Sequence, residues 1–297
     1  MLEVKNLNKY FGKQQVLKEV TFQVASGSIM GLIGKNGSGK TTTFHCALNF
    51  LDYQGQIRLN GEKISKESYE KIGYLPEERS LMPKLTVFDQ VRYLANLKGI
   101  STSQVQKQLP LWMERLQVVG KIDDKIKSLS KGNQQKIQLI ATLLHQPDFI
   151  ILDEPFSGLD PVNTEILKQV ILSEQARGAT IIFSDHSMNN VEELCDDVVM
   201  INQGQVVLDG PIQSVRESFG LSRLFVRAGL TAAELAKLPG VAEVNLEKSG
   251  AYRLELSDPS QGQTIFQILA AQGPIRTFDQ QPPTLDEIFK LKAGVEM

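Results

Sequence analysis

The stretch that decides the fold is Gly34-Lys35-Asn36-Gly37-Ser38-Gly39-Lys40-Thr41, which fits the phosphate-binding loop pattern G-x-x-x-x-G-K-S/T without a gap. The apolar run in front of it, Ile29–Ile33, is predicted to be a buried strand, and residues 42–51 behind it are predicted to be a helix. Glycines at a strand-to-helix turn let several backbone N–H groups point at one phosphate, and the helix start adds partial positive charge. The stretch therefore predicts a nucleoside triphosphate site.

Two side chains of this loop have individual roles. The Lys40 ammonium group is expected to reach the β- and γ-phosphates. The Thr41 hydroxyl is expected to bind the Mg²⁺ ion that bridges those phosphates. The other candidate nucleotide-binding residues of the loop are Gly34, Asn36, Gly37, Ser38, Gly39 and Thr42.

Two adjacent carboxylates end a later apolar strand, in the segment Ile150-Ile151-Leu152-Asp153-Glu154. Parallel sheets present their ligands at the carboxyl ends of the strands. We expect Asp153 to hold Mg²⁺ through water and Glu154 to polarise the attacking water as the general base. The alternative is a pair of solvated loop acids without a catalytic role.

The composition favours a large folded protein without a nucleic-acid partner. The chain has 297 residues, 41% of them hydrophobic, and a formal net charge of −2, so it provides no basic field for a polyanion. Its two cysteines, Cys46 and Cys195, suggest neither a disulfide framework nor a thiolate metal site, which fits a reducing cytoplasm. No window approaches eighteen consecutive apolar residues, so any transport role requires a partner that supplies the membrane-spanning helices.

The periodicity predicts an α/β fold in two domains, residues 1–219 and residues 220–297. Alternating residues near the N-terminus predict an antiparallel β subdomain, and the region from about residue 87 to 145 is mostly helical. Apolar strands at 149–152 and 180–183 with a helix between them form a βαβ unit, so the sheet of this P-loop nucleoside triphosphatase (NTPase) core is predicted to be largely parallel. The predicted order of elements in the second domain is βαββαβ, which is typical of a small ferredoxin-like α+β unit. For this domain, a role as a packing or dimerisation module is favoured over a role as a sensor.

Further motifs follow the phosphate loop. The segment Leu129-Ser130-Lys131-Gly132-Asn133 is similar to the signature loop LSGGQ, Ser157-Gly158-Leu159-Asp160 matches the D-loop, and His186 follows an apolar strand. Together with the phosphate loop and the Asp153-Glu154 pair, these motifs resemble those of the ATP-binding-cassette (ABC) ATPases over residues 1–215. The resemblance implies ATP as the nucleotide, with Mg²⁺.

The same resemblance implies roles for the signature loop and the D-loop. Ser130 and Gly132 would meet the γ-phosphate that the opposite subunit binds, so two chains would pack head to tail around two ATP molecules, as a homodimer or a heterodimer. Lys131 and Asn133 replace the usual Gly and Gln. Lys131 either adds positive charge near the triphosphate or faces solvent. The D-loop residues Ser157 and Asp160 would pass between the two sites.

Three further positions follow from the family pattern. His186 would contact the γ-phosphate and position water. Phe11 would stack on adenine, with the adjacent Tyr10 as the other candidate and a core aromatic as the alternative. Glu77 stands where most members have Gln near Mg²⁺, which exchanges a neutral amide for a carboxylate at a metal-binding position.

The function expected from these features is that of an ATP-hydrolysing subunit that powers an ABC transporter. Its partner would be a separate transmembrane permease, and its place would be cytoplasmic and peripheral, on the inner face of the cell membrane. The tail segment at 282–289 resembles exporter ATPases, so export is favoured. The alternatives are an importer ATPase and a soluble ABC-type ATPase acting as a cytosolic switch.

Overall fold

The structure is a computed structural model that describes residues 1–65, 67–78 and 80–294. Its contacts divide the chain into two compact units, Met1–Gly210 and Pro211–Met297. The division precedes α7 (Ile212–Glu217), whereas the sequence placed the boundary after residue 219. No helix in the described ranges has the length and hydrophobicity that a bilayer span requires.

The first unit alternates strands and helices along most of its length. Its elements in chain order are β1 (Leu2–Phe11), β2 (Gln14–Val24), β3 (Ile29–Ile33), α1 (Lys40–Ala47), β4 (Gln54–Leu59), β5 (Ile72–Leu75), α2 (Val87–Leu97), α3 (Thr102–Arg115), α4 (Lys131–Leu143), β6 (Phe149–Asp153), α5 (Pro161–Ala176), β7 (Thr180–Ser184), α6 (Met188–Leu194), β8 (Asp197–Asn202) and β9 (Gln205–Pro211).

The described strands of this unit form two sheets, as the α/β prediction requires. β1 pairs antiparallel with both β2 and β4 in the N-terminal subdomain. The larger sheet has the order β5-β6-β7-β3-β8-β9, and its pairs from β5 through β8 are parallel. Every residue of β3, β6 and β7 is buried, as expected for parallel strands that are covered on both faces. The predicted P-loop NTPase core is confirmed.

Side-chain caps fix where the helices of the first unit begin. The Thr86 hydroxyl accepts a hydrogen bond from the Asp89 N–H at the start of α2, and Ser101 forms a capping box with Gln104 at the start of α3. Between the phosphate loop and β6, α2, α3 and α4 pack against one another as the predicted helical subdomain. α1 begins at Lys40 and ends at Ala47, earlier than the predicted end at residue 51, because Asn49 adopts a left-handed backbone (φ 56°).

The second unit has the predicted βαββαβ order. After α7 its elements are β10 (Arg223–Arg227), α8 (Ala232–Leu235), β11 (Val241–Leu246), β12 (Tyr252–Leu256), α9 (Gly262–Gln272), β13 (Thr277–Gln281) and α10 (Leu285–Lys292). The antiparallel sheet has the order β11-β12-β10-β13, and buried residues of β10, β12, α8 and α9 form its core.

One strand of this unit lies further along the chain than predicted. The apolar residues Ile275 and Phe278 predict a strand at 275–278, but β13 covers Thr277–Gln281. Its pairing with β10, from Arg227 opposite Thr277 to Arg223 opposite Gln281, sets these bounds. A polar edge strand carries little local sequence signal, because backbone pairing rather than apolar burial defines it.

Candidate functional site

The phosphate loop joins β3 to α1 with a backbone that only glycine can follow at two points. A Cβ at Gly34 would lie 2.3 Å from the Ile201 carbonyl oxygen. Gly39 has φ 114° directly before the first helical residue, and a Cβ there would lie 2.6 Å from Leu17 Cδ2. These close approaches are the physical reason for glycine at both ends of the motif.

Two polar groups of this loop suit a bound anion. The Ser38 hydroxyl is buried and has no hydrogen-bond partner within the described chain, so a phosphate oxygen would satisfy it. The Lys40 ammonium donates to the Gly34 carbonyl (2.8 Å) and lies 3.4 Å from the Lys35 carbonyl. Burial lowers the Lys40 pKa, and the nearby carboxylates oppose that shift. The loop therefore fits the triphosphate that the sequence predicts.

A chain of side-chain contacts links this loop to the two acids. The Thr41 hydroxyl donates to Asp153 Oδ2 (3.0 Å), and the Ser184 hydroxyl donates to Asp153 Oδ1 (2.6 Å). Ser184 Oγ also accepts from the Glu154 backbone N–H (3.1 Å). Asp153 and Ser184 are paired residues at the ends of the parallel strands β6 and β7. The sheet edge thus brings the predicted metal and general-base residues together.

Glu154 and His186 form a close pair beside these contacts. His186 Nε2 lies 3.2 Å from Glu154 Oε1, although the two atoms are not aligned as a hydrogen bond. The Glu154 pKa is raised to about 7, mainly by burial and next by the charge of Asp185, while the charge of Lys40 works in the opposite direction. A carboxyl group with a pKa near neutral pH is suited to take a proton from water.

One cavity of about 370 Å³ gathers most of the predicted residues. It is lined by Phe11, Val16, Asn36, Gly37, Gly39, Lys40, Thr41, Thr42, Glu77, Asp153, Glu154 and His186. Tyr10 does not line it, which favours Phe11 as the aromatic at the adenine end. Phe11 is 49% exposed, with the Lys9 ammonium 4.9 Å from its ring centroid. The sequence missed Val16, because a valine in a strand carries no signal for ligand contact.

Glu77 lines the same cavity from the segment after β5. The Gln138 side chain holds the backbone on either side of it, donating to the carbonyls of Pro76 (3.3 Å) and Glu78 (3.4 Å). The carboxyl group of Glu77 is exposed to the cavity. It adds negative charge there, and this charge favours the protonated forms of both Lys40 and Glu154.

The oxygen donors suit a hard cation such as Mg²⁺. Thr41 and Asp153 touch each other in the cavity, and Glu77 also lines it. Within the described ranges, no group of three or more His, Cys, Asp or Glu side chains could hold a metal ion. A cation held by Thr41 and Asp153 would complete its coordination with phosphate oxygens and water, as Mg²⁺ does at triphosphate sites.

The signature residues lie away from this cavity, at the start of α4. Ser130 is exposed and caps the helix, accepting from the Asn133 N–H (3.3 Å) and the Asn133 side chain (3.1 Å). Asn133 Oδ1 in turn accepts from the Val119 N–H (3.0 Å). Lys131 is exposed, and a Cβ on Gly132 would meet only ordinary contacts, the nearest at 3.5 Å from Leu159.

The D-loop begins three residues after Glu154. The Ser157 N–H donates to the Glu154 carbonyl (3.2 Å), so the loop is tied to the general-base candidate through the backbone. Asp160 caps α5 by accepting from the Asn163 N–H (3.0 Å) and also accepts from the Asn163 side chain, and these two hydrogen bonds lower its pKa. Ser157 and Asp160 are both exposed, and neither lines the cavity of its own chain.

Comparison with known proteins agrees with this geometry. A family model described as "ABC transporter" matches residues 17–157, and one described as "ATP-binding protein DrrA1-3-like, C-terminal domain" matches residues 210–293. The chain is 39% identical to the ABC transporter ATP-binding protein YhaQ of Bacillus subtilis, over 99% of each chain. It is 29% identical to the Nod factor export ATP-binding protein I of Paraburkholderia xenovorans, over 100% of this chain and 98% of that one.

A solved structure of a similar protein has the same fold. An ATP-binding subunit of an ABC transporter superposes with a TM-score of 0.69 at 31% identity, covering 79% of this chain and 97% of that one. The region matched by the first family model, residues 17–157, contains both the phosphate loop and the acid pair. The chain belongs to the ABC transporter ATP-binding proteins.

Proposed function

We propose that this chain hydrolyses ATP as the nucleotide-binding subunit of an ABC transporter. The observation that carries the proposal is the buried Glu154 carboxyl, which lines the phosphate-loop cavity beside His186 and next to Asp153. Lys40 would bind the β- and γ-phosphates, and His186 would contact the γ-phosphate and orient water. Glu154 would then accept the proton of the attacking water.

Thr41, Asp153 and Glu77 would hold Mg²⁺ in this scheme. Bound there, the ion would neutralise charge on the β- and γ-phosphates. The Ser38 hydroxyl and the glycine backbone of the loop would hold the phosphates in place, and Phe11 would stack on the adenine. The support for these assignments is their shared cavity and, for Ser38, its unpartnered buried hydroxyl.

The test is the Glu154→Gln substitution. Loss of a general base is expected to lower kcat for ATP hydrolysis by about two to four orders of magnitude, with ATP affinity retained. Steady-state phosphate release gives kcat, and calorimetry gives the affinity. Glu165→Gln, which alters an exposed acid of α5, serves as the matched control. Near-normal turnover of the Glu154 variant would refute the assignment.

The position of the signature loop supports a dimer. Ser130, Lys131, Gly132 and Asn133 do not line the cavity of their own chain, yet they present an exposed helix start that suits an anion. Two chains packed head to tail would place each signature loop on the γ-phosphate of the other, with the D-loops between the sites. The pair would be two copies of this chain or this chain and a homologue. Hydrolysis removes the shared phosphate contacts and loosens the pair.

The transport role requires a second protein. A separate transmembrane permease would carry the substrate pathway, and this subunit would bind it from the cytoplasm, on the inner face of the membrane. Export is the favoured direction, supported by the tail at 282–289 and by the similarity to a Nod factor export protein along the whole chain. Residues 220–297 would form an accessory module for packing or dimerisation, and no nucleic-acid partner is proposed.

A further inference from the structure

Ser184 lies at the centre of the acid site, although no motif points to it. It is the last residue of β7, its exposed fraction is 0%, and it is the strand partner of Asp153. Its single hydroxyl donates to Asp153 Oδ1 (2.6 Å) and accepts from the Glu154 backbone N–H (3.1 Å). One side chain thus contacts both acids of the proposed hydrolytic site.

The two hydrogen bonds of Ser184 restrain the carboxylate of Asp153 and the backbone of Glu154. Asp153 Oδ2 accepts from the Thr41 hydroxyl, and Asp153 Oδ1 accepts from the Ser184 hydroxyl. The hydrogen bond from Ser184 therefore fixes the rotation of the carboxylate. Glu154 has φ 52°, a left-handed conformation that is strained for a residue with a Cβ. The hydrogen bond from its N–H to Ser184 holds that turn in place. Strained residues at functional sites persist only when the surrounding structure holds them.

We propose that Ser184 is a positioning residue for ATP hydrolysis, keeping the Asp153 carboxylate aimed at the metal position and Glu154 aimed at the attacking water. The inference rests on the proposed function of the same site. A hydroxyl is needed because it must donate to a carboxylate and accept from an amide at the same time. A methyl group in its place would leave the buried Glu154 N–H without its acceptor, and Asp153 Oδ1 without its donor.

The test compares four chains: the wild type, Ser184→Ala, Ser184→Thr and Ser184→Val. Thr and Val have nearly the same shape, so their difference reports the hydroxyl whatever the added methyl group costs. Because displacement of a catalytic group by about 1 Å can cost a hundredfold in rate, kcat is expected to fall about ten- to hundredfold in the Ala and Val variants. Thr is expected to turn over at least about tenfold faster than Val.

Two further readouts separate positioning from a general loss of structure. The dissociation constant for ATP without Mg²⁺, measured by calorimetry, is expected to stay within about threefold of the wild type in every variant. In the Glu154→Gln background, Ser184→Ala is expected to lower the residual rate by a clearly smaller factor than in the wild-type background, because the group that it positions is gone. A purely structural Ser184 would instead give additive losses and weaker nucleotide binding.

The outcomes distinguish this inference from the function on which it rests. If Glu154→Gln abolishes turnover while Ser184→Ala and Ser184→Val retain the wild-type kcat, the positioning role is wrong and the ATPase assignment stands. Equal rates for Thr and Val would also overturn it. If the wild-type chain shows no ATP hydrolysis that depends on Glu154, both the positioning role of Ser184 and the ATPase assignment are wrong.

Discussion

The surroundings of the Glu154 carboxyl group raise its pKa close to neutral pH. Burial is the largest cause of its raised pKa of about 7, and the charge of Asp185, the residue before His186, is the next. Asp185 is itself held in place, because its two oxygens accept from the Ser187 N–H (2.8 Å) and the Asn190 side chain (2.7 Å). Asp185, the residue before His186, therefore has an electrostatic effect on the proposed general base, Glu154.

This electrostatic arrangement predicts how the rate depends on pH. A general base acts in its deprotonated form, so kcat is expected to rise with pH between about 5.5 and 8.5, with a midpoint near 7. Asp185→Asn removes a negative charge, which lowers the Glu154 pKa and moves the midpoint to lower pH. Asp123→Asn, at an exposed acid of the helical subdomain, is the control. A midpoint that moves upward in the Asp185 variant, or not at all, would contradict this electrostatic account.

Among individual residues, those that belong to motifs could be predicted and those placed by strand pairing could not. Lys40, Thr41, Asp153, Glu154 and His186 have side chains whose chemistry is visible in their local pattern, and they lie in one cavity. Ser184 becomes important only because β7 pairs with β6 in a register that puts its hydroxyl against Asp153. Such a contact across the sheet has no signature in the sequence near Ser184.

At the scale of elements, local periodicity indicated the strands and helices but not all of their ends. β3 was predicted at its observed bounds, because a short apolar run ends directly at the glycine loop. Residues 187–219, which hold α6, β8, β9 and α7, received no assignment in the sequence analysis. β8 contains an apolar run at 198–201, which is the kind of local pattern that predicts a buried strand, so its sequence signal was overlooked rather than absent.

α4 offers a test of the dimer at the level of one element. Gly132→Ala adds a methyl group at the helix start, where it meets no close neighbour within its own chain. Alanine favours a helix over glycine by up to about 1 kcal/mol, so the thermal unfolding temperature should not fall. The methyl group would nevertheless obstruct the phosphate of the partner subunit. ATP-dependent dimerisation in the Glu154→Gln background is therefore expected to be lost, while the isolated subunit still binds ATP.

Sedimentation velocity with and without ATP measures this effect directly. The Glu154→Gln chain with Gly132 intact is the reference, and it should dimerise on addition of ATP and Mg²⁺. Dimerisation that is equally strong in the Gly132→Ala chain would exclude the proposed contact of the signature loop. A fall in unfolding temperature would mean that the substitution acts within its own subunit, against the prediction from helix propensity.

At the scale of the whole molecule, the chain combines an ATP-binding unit with a small ferredoxin-like unit. The order of elements from β10 onward in the small unit was predictable, since its strands and helices alternate distinctly. In the ATP-binding unit, the elements after β7 were not predicted. The division between the units falls after Gly210, before α7, because the contacts of a short helix rather than its composition decide which unit it joins. The transport role is a property of an assembly, because it requires a membrane partner.

Affinity purification of the Glu154→Gln chain from native membranes with ATP and Mg²⁺, followed by mass spectrometry, tests whether this chain powers a transporter. This variant should hold ATP without turnover and so keep the assembly together. We expect a polytopic membrane protein in an amount comparable to this chain, and less of it with Lys40→Ala as the control. Recovery of soluble partners alone would contradict the transporter assignment and favour an ATP-driven switch in the cytosol.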